Sequence, residues 1–276
     1  MIKRMGKAGV RAVLMASLIA MPALLLPGSS AGTTQIIALL ALLAAALTFV
    51  EYTGDYPSIV EFRDAPPYNR LRFAALFLTV LLLTLICRGE THPTAASDAL
   101  NAVGMRVGGL LDFPYSPVRL MVLGANADMT AAQIDRMRTF AGLAYLVSIS
   151  VTACFILLVR LLNWPVRRGA FNFWVNLPLF DPTAGGDILY RLKRDAHVNI
   201  ALGFLLSFLI PAGLQIASAA IDPVSLGDAQ TLIWTMSAWA FLPASLIMRG
   251  VALMRIAALI EEKRRRAYAQ ANLQAA

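Results

Sequence analysis

Residues Asn163–Asn199 read NWPVRRGAFNFWVNLPLFDPTAGGDILYRLKRDAHVN and lie between two long apolar runs. The stretch is rich in basic and aromatic side chains, namely Arg167, Arg168, Arg191, Lys193, Arg194, Trp164, Phe171, Phe173, Trp174, Phe180 and Tyr190. Basic residues beside apolar runs are typical of cytoplasmic loops in membrane proteins, and Trp and Tyr rings concentrate at the lipid headgroups. We therefore predict that residues 163–199 form the main cytoplasmic surface of a protein that crosses a membrane several times.

The composition of the whole chain supports this class. Of its 276 residues, 58% are hydrophobic and only 14% are charged, whereas soluble domains carry about 25% charged residues. The apolar residues fall in long blocks, which is the pattern of membrane-spanning helices. The net charge is +8, but the basic residues flank apolar runs, so membrane orientation and anionic lipid explain them better than nucleic acid does. We predict an all-α, polytopic transmembrane helix bundle without a nucleic-acid partner.

Six apolar runs are candidate spans within a transmembrane domain of residues 1–260. They lie near residues 12–28, 35–50, 73–87, 140–159, 200–220 and 230–248. The first run, with its basic start and the sequence LPGSSAG after it, also fits a cleaved signal peptide, with Ser29 and Ala31 at the small positions. We favour a retained helix, and the orientation of the later spans is the same in both cases.

The distribution of basic residues predicts the orientation of these spans. With the N-terminus inside, nineteen of the 24 Lys and Arg residues fall on the inner side, including those of a basic tail at 261–276. The outer side holds the remaining five, Arg88, Arg106, Arg119, Arg136 and Arg138. By the positive-inside rule, we expect both termini to be cytoplasmic. We predict a protein of the bacterial inner-membrane type.

The outer loop at residues 89–138 has two helix signals. Ser97 is a candidate N-cap for an amphipathic helix, and Thr130 with Gln133 forms a capping box for the next span. The amphipathic helix has an apolar stripe of Leu100, Val103, Val107, Leu110 and Leu111. We expect this helix to lie on the membrane or on the bundle itself.

The six spans contain no Asp, Glu, Lys, Arg or His, and their polar residues are small. Arg249 directly follows the sixth span, and we expect its side chain to reach the inner boundary. The residues that we expect to pack helices closely are Ala144, Ser148, Thr152, Gly203, Ser207 and Gln215. Packing within the subunit is the simpler interpretation and contact with a partner subunit the alternative. Gln215 fits a helix–helix hydrogen bond better than a substrate contact.

We find no catalytic motif, metal cluster or cofactor fingerprint, and we predict no enzyme activity, cofactor or metal site. His92 and His197 fall on opposite sides of the predicted membrane, and Cys87 and Cys154 lie in apolar runs. The acidic residues Asp55, Glu61 and Asp64 are spread over a Pro-rich loop rather than along one helix face. We expect this loop to pair with the basic residues of 163–199 and to form one cytoplasmic cap.

The sequence thus favours a non-enzymatic accessory, assembly or scaffold subunit of a larger membrane complex, with the bilayer and other membrane subunits as partners. The residues expected to bind partners or lipid headgroups are Arg167, Arg168, Trp174, Arg191, Lys193 and Arg194. One alternative is a transporter or channel for a small neutral solute, with Gln215, Ser148 and Thr152 along its path. A lipid-modifying enzyme that uses Asp55, Glu61 or Asp64 is the third possibility.

Overall fold

The computed structural model describes residues 2–27, 31–125, 129–162, 164–165, 171–181, 183, 185–220 and 226–275. In these ranges every regular element is an α-helix. In chain order the helices are α1 (Ile2–Leu25), α2 (Ala31–Thr53), α3 (Tyr68–Thr91), α4 (Ala95–Leu111), α5 (Pro117–Leu123), α6 (Ala131–Leu161), α7 (Phe173–Asn176), α8 (Ile188–Ala220) and α9 (Ala229–Ala275).

Six helices, α1, α2, α3, α6, α8 and α9, are long and apolar enough to cross a membrane. This confirms the all-α class with six candidate spans, as a multi-pass membrane protein requires. Several helices extend well beyond the apolar runs: α6 begins at Ala131, directly after the predicted capping box, although its apolar run begins near 140, and α8 begins at Ile188, although its apolar run begins near 200. Backbone hydrogen bonds continue through polar residues at a helix end, so hydropathy locates the spans better than it locates their ends.

Successive long helices run in alternating directions and place the connections at two ends of the bundle. At one end, which we call the terminal face, α1 begins and α9 leaves the bundle; there Arg4 pairs with Asp55 and Arg264 pairs with Asp187, each at 3.0 Å. The other end, the opposite face, carries α4 and α5. There Arg136 pairs with Glu90 at 3.0 Å.

Helix α9 occupies the centre of the bundle and packs against α8, α6 and α3. Its contact with α8 is a backbone-to-backbone approach at two glycines. A Cβ atom on Gly203 would lie 2.7 Å from the Pro243 carbonyl oxygen, and one on Gly250 would lie 2.7 Å from the Ala196 carbonyl oxygen. Small residues therefore set the closeness of this helix pair.

The caps of α4 and α6 test the two helix signals of the outer loop. The Thr130–Gln133 capping box at the start of α6 is confirmed. The predicted N-cap at Ser97 is wrong, because α4 begins at Ala95 and its N-cap is Thr94. Ser97 is the third residue of the helix and its hydroxyl accepts from the Thr94 backbone N–H at 2.9 Å. Ser97 thus takes the place that Glu or Gln holds in the usual box.

Helix α4 approaches α6 at its glycines, and the predicted apolar stripe is divided. Leu100 and Leu111 pack against the core, whereas Val103 and Leu110 point outward and are 53% and 78% exposed. Gly104 and Gly108 face α6 instead, and a Cβ atom on Gly142 would lie only 2.5 Å from the Gly108 Cα atom. This is the close contact that a small-xxx-small spacing permits.

We expect Gly108→Ala to destabilise the bundle relative to Gly109→Ala. A Cβ atom at 108 would lie 2.7 Å from the Arg138 carbonyl oxygen, whereas a Cβ atom at 109 meets nothing within 4 Å. Both changes improve helix propensity equally, so their difference isolates the clash, at about 1–3 kcal/mol. Thermal unfolding of the two variants in one detergent measures it, and equal stabilities would show that α4 does not contact α6 in this way.

Candidate functional site

An aromatic cluster forms the interior of the terminal face. Phe62 contacts Tyr68 and Trp164, with ring centroids 4.5 Å and 5.6 Å apart, and Phe155 meets Trp164 edge-on at 5.3 Å. The Trp164 indole N–H donates to the Ala65 carbonyl oxygen at 3.2 Å. The loop between α2 and α3 is therefore fixed to the segment that follows α6.

Backbone hydrogen bonds join the same two connections further along. The Phe62 N–H donates to the Asn176 carbonyl oxygen at 2.6 Å, and the Asp64 N–H donates to Asn176 Oδ1 at 3.0 Å. The two loops that we expected to form one cap are therefore joined by direct hydrogen bonds. We call the residues between α2 and α3, together with α7 and Trp164, the cap.

Among the described residues, the acidic residues of the cap pair with cations outside 163–199, and these contacts differ from the predicted pairing. Asp55 pairs with Arg4, Asp64 lies 3.8 Å from Arg63, and Glu61 pairs with Arg249. Each carboxylate thus has a separate cation. The third possibility, a lipid-modifying enzyme, requires these carboxylates to converge. Within the described ranges, no group of three His, Cys, Asp or Glu residues is placed to hold a metal ion.

The Glu61–Arg249 pair connects the cap to the central helix. Glu61 accepts from Arg249 Nε at 2.6 Å and from a terminal guanidinium nitrogen at 2.8 Å. The two side chains are 9% and 24% exposed. Arg249 therefore turns toward an acidic partner of the cap, and a two-bond contact of this kind fixes the orientation of both side chains.

Glu51, the acidic residue near the end of α2, binds the backbone of the loop that follows it. Its carboxylate accepts from the backbone N–H groups of Ser58, Ile59 and Val60 at distances between 2.9 Å and 3.1 Å, and also from the Ser58 hydroxyl. Four donors on one carboxylate satisfy it inside the chain. Glu51 therefore has a structural role in shaping the cap.

The predicted basic surface is largely engaged in contacts within the chain. Lys193 pairs with Glu261 at 2.9 Å, Arg194 with Asp195 at 3.0 Å, and Arg191 lies over the Phe180 ring at 4.7 Å. Trp174 is 54% exposed. Arg167 and Arg168 lie outside the described residues.

An ion pair between Arg264 and Asp187 supports the start of α8. A hydrogen bond from Arg264 lowers the pKa of the Asp187 carboxyl, and the backbone N–H of Leu189 acts in the same direction. Asp187 thereby joins the first turn of α8 to the extension of α9. Arg264 therefore fixes the start of α8 in addition to carrying a positive charge at the terminal face.

A groove on the flank of the bundle collects several of the small polar residues. Helices α6 and α8 both pack on α9, but in the described part of the chain their backbones do not approach each other closely. A side-chain hydrogen bond between Tyr145 and Ser207 is a contact between them. The space between them is a lateral groove of about 220 Å³ with α9 as its floor. Its lining includes Tyr145, Ser148, Thr152, Ser207, Pro243 and Ile247.

Most polar groups of the lateral groove are bonded within the protein. The Thr152 hydroxyl donates to the Ser148 carbonyl oxygen at 2.8 Å, and the Ser207 hydroxyl donates to the Gly203 carbonyl oxygen at 3.4 Å. The indole N–H of Trp239, which stacks on Tyr145, donates to the Ser207 carbonyl oxygen at 3.1 Å. The groove therefore presents a mostly apolar surface.

The six predicted packing residues divide among four places. Ser148, Thr152 and Ser207 line the lateral groove, while Ala144 is fully buried in the core beside it. Gly203 forms the close α8–α9 contact described above. Gln215 lies away from the groove, and its side-chain N–H donates to the Leu123 carbonyl oxygen of α5 at 2.7 Å.

Sequence reasoning missed a surface on α2. In the described part of the chain this helix packs only against α1, and it does so through small residues, of which Ala41 is 6% exposed. Its outer face carries five large apolar residues that are each about half exposed or more: Ile36, Leu40, Leu43, Leu47 and Val50. We call these five residues the α2 seam. Their alternating spacing of four and three is present in the sequence, but other leucines surround it and obscure it.

Comparison of the chain with protein-family models, curated proteins and solved structures finds no match.

Proposed function

We propose that this protein is a non-catalytic accessory or scaffold subunit of a larger membrane complex, and that α2 is the helix that docks the partner. The exposure of α2 is the observation that carries the proposal. Only 6% of its most apolar 18-residue window is buried, against 22% to 44% for the other five candidate spans. Helix α2 thus stands at the edge of the bundle with most of its surface uncovered.

The pattern of the α2 seam supports a partner helix as the occupant of this surface. Large apolar residues that alternate at spacings of four and three form the contact stripe of paired helices, in which each side chain fits between four residues of the facing helix. Helices associate in lipid through such dispersion contacts, since water does not drive them together. The opposite side of α2 is already occupied by α1, which leaves the α2 seam for the partner.

The C-terminal end of α2 is held in position by α1, so the α2 seam is already in place before a partner binds. The Arg11 guanidinium lies 4.0 Å from the centre of the Tyr52 ring, and Arg4 pairs with Asp55 just beyond the helix. Both contacts join α1 to the end of α2. A fixed helix loses less conformational freedom when a partner binds than a mobile one does.

We test the docking surface by placing a photo-crosslinking amino acid at Leu40, Leu43 and Leu47. The control positions are Phe204 and Leu209 of α8, which are 61% and 54% exposed. We expect all three seam positions to give an adduct with the same membrane protein, and this adduct to form again when the purified partner is co-reconstituted. The controls should give lipid adducts only. Equal yields at seam and control positions, or adducts only with a second copy of this chain, would overturn the proposal.

The orientation belongs to the same proposal: both termini are cytoplasmic in a bacterial-type inner membrane, which places the cap inside and α4 outside. The nineteen-to-five excess of basic residues supports it. After Cys87 and Cys154 are replaced, we expect Tyr115→Cys to react with an impermeant maleimide in intact cells. Tyr268→Cys should react only after permeabilisation. The two tyrosines are 88% and 70% exposed, and the reverse labelling pattern would invert the topology.

The transporter alternative has less support from the geometry. It places Gln215, Ser148 and Thr152 along one path. Ser148 and Thr152 line a groove that opens sideways, whereas Gln215 is bonded to the backbone of α5. The three residues therefore do not share a cavity within the described part of the chain.

A further inference from the structure

We propose that the lateral groove binds one acyl chain of an anionic phospholipid from the leaflet at the terminal face, with the lipid phosphate beside Arg160. This inference rests on the α6–α8–α9 geometry and is independent of docking at α2.

The groove runs along α6 toward the terminal face. Its α6 wall extends from Tyr145 to Ile156, about 16 Å at 1.5 Å per residue. Helix α6 ends at Leu161 on the terminal face, so the Ile156 end of the groove is the end nearer the headgroups. Arg160 lies about 6 Å further on, and half of a typical hydrocarbon core is about 15 Å. An acyl chain held at Arg160 therefore covers about 9 Å of the groove, counted from Ile156.

A cation lies at the headgroup end of the same face. Tyr145, Ile149, Thr152 and Ile156 recur at intervals of three or four residues, and Arg160 is the next position on that face, about 6 Å beyond Ile156. Arg160 is exposed, and among the described residues it has no acidic partner. Since a guanidinium binds phosphate oxygens through two parallel N–H groups, a negatively charged headgroup complements this position.

The size of the groove favours an acyl chain over a helix as its occupant. The space of about 220 Å³ suits a slender chain, whereas a helix at least 10 Å wide would lie across the mouth of the groove rather than inside it. Because its hydroxyl groups are mostly bonded to nearby carbonyls, an apolar chain displaces few hydrogen-bonded waters from the lining.

The test compares matched variants of the full-length protein by native mass spectrometry after delipidation. The lipids are phosphatidylglycerol and phosphatidylcholine with identical acyl chains. Arg160→Gln removes the cation at the groove, and Arg70→Gln removes another exposed cation near the terminal face, at the start of α3. Ala153→Phe fills the groove from an exposed lining position, and Ala201→Phe adds the same ring at an exposed position outside it.

We expect one tightly retained phosphatidylglycerol on the unchanged protein and weaker retention of phosphatidylcholine. Arg160→Gln should weaken phosphatidylglycerol binding about fivefold, the effect of one basic residue at an anionic surface, and Ala153→Phe should abolish retention. The two controls should bind as the unchanged protein does, and equal melting temperatures show that all variants fold. Equal retention of the two lipids overturns the choice of an anionic headgroup. Retention in the Ala153→Phe variant overturns the groove as the site.

Discussion

Replacement of Glu61 by Gln is expected to destabilise the protein by about 2–4 kcal/mol. The change removes the negative charge from a two-bond contact whose acidic side chain is 9% exposed, and it leaves Arg249 facing a neutral amide. Removal of one partner from a buried pair costs about 3–5 kcal/mol, and we lower that figure because Arg249 is 24% exposed and retains some water.

Asp55→Asn is the matched control for this prediction. Asp55 is a neighbouring loop carboxylate that also pairs with an arginine, but the two side chains are 86% and 43% exposed. Exposed pairs contribute about 0–1 kcal/mol. Unfolding of both variants in a mixed-detergent titration gives the difference in the free energy of unfolding, and a Glu61→Gln loss no larger than the Asp55→Asn loss would show that the Arg249 contact does not hold the cap on α9.

Asp112→Asn is expected to cost a similar amount, about 2–4 kcal/mol, at the opposite face. Its carboxylate is 6% exposed and meets two arginines, Arg119 at 2.6 Å and Arg138 at 2.7 Å. The Arg119 contact is an ion pair outside hydrogen-bonding geometry, whereas Arg138 donates a hydrogen bond. An amide at 112 leaves Arg119 without an acidic partner among the described residues and leaves Arg138 with only the exposed Asp135.

The control for Asp112 shares one of its arginines. Asp135 also pairs with Arg138, but the Asp135 side chain is 62% exposed, so Asp135→Asn should cost less than about 1 kcal/mol. Hydrogen exchange gives a local readout beside the stability difference. We expect faster exchange in α5 for Asp112→Asn alone, since Asp112 holds the start of that helix through Arg119. Unchanged protection of α5 would remove the proposed link.

The helical class and the approximate spans were predictable because they depend on composition. A chain with 14% charged residues and six long apolar runs has few other ways to fold. The capping box at Thr130 was equally accessible, because it depends on residues three positions apart.

Contacts between distant parts of the chain were not predictable in the same way. Glu61 and Arg249 are 188 positions apart, and no local pattern selects Arg249 over the five basic residues of 163–199. The lateral groove has a similar origin, because it exists only where α6 and α8 both pack on α9 and leave a gap between them. Hydropathy along the chain carries no information about which helices are neighbours.

Two further features were present in the sequence but were obscured. Gly104 and Gly108 have the spacing of a close helix contact, yet a nearby apolar stripe in the same helix gave a stronger amphipathic signal. The α2 seam lies in a run that is apolar on all sides, so its spacing becomes informative only when the structure leaves that side of α2 uncovered.

Docking through the α2 seam is tested by asking whether a partner stays bound when the seam is truncated. The variant Leu40→Ala, Leu43→Ala, Leu47→Ala is purified in mild detergent beside the matched variant Phe204→Ala, Leu205→Ala, Leu209→Ala, which removes similar exposed apolar surface from α8. We expect the partner identified by crosslinking to dissociate from the α2 variant and to stay with the α8 variant in the same stoichiometry as with the unchanged protein. Retention of the partner by the α2 variant, with its melting temperature unchanged, would contradict docking through the α2 seam.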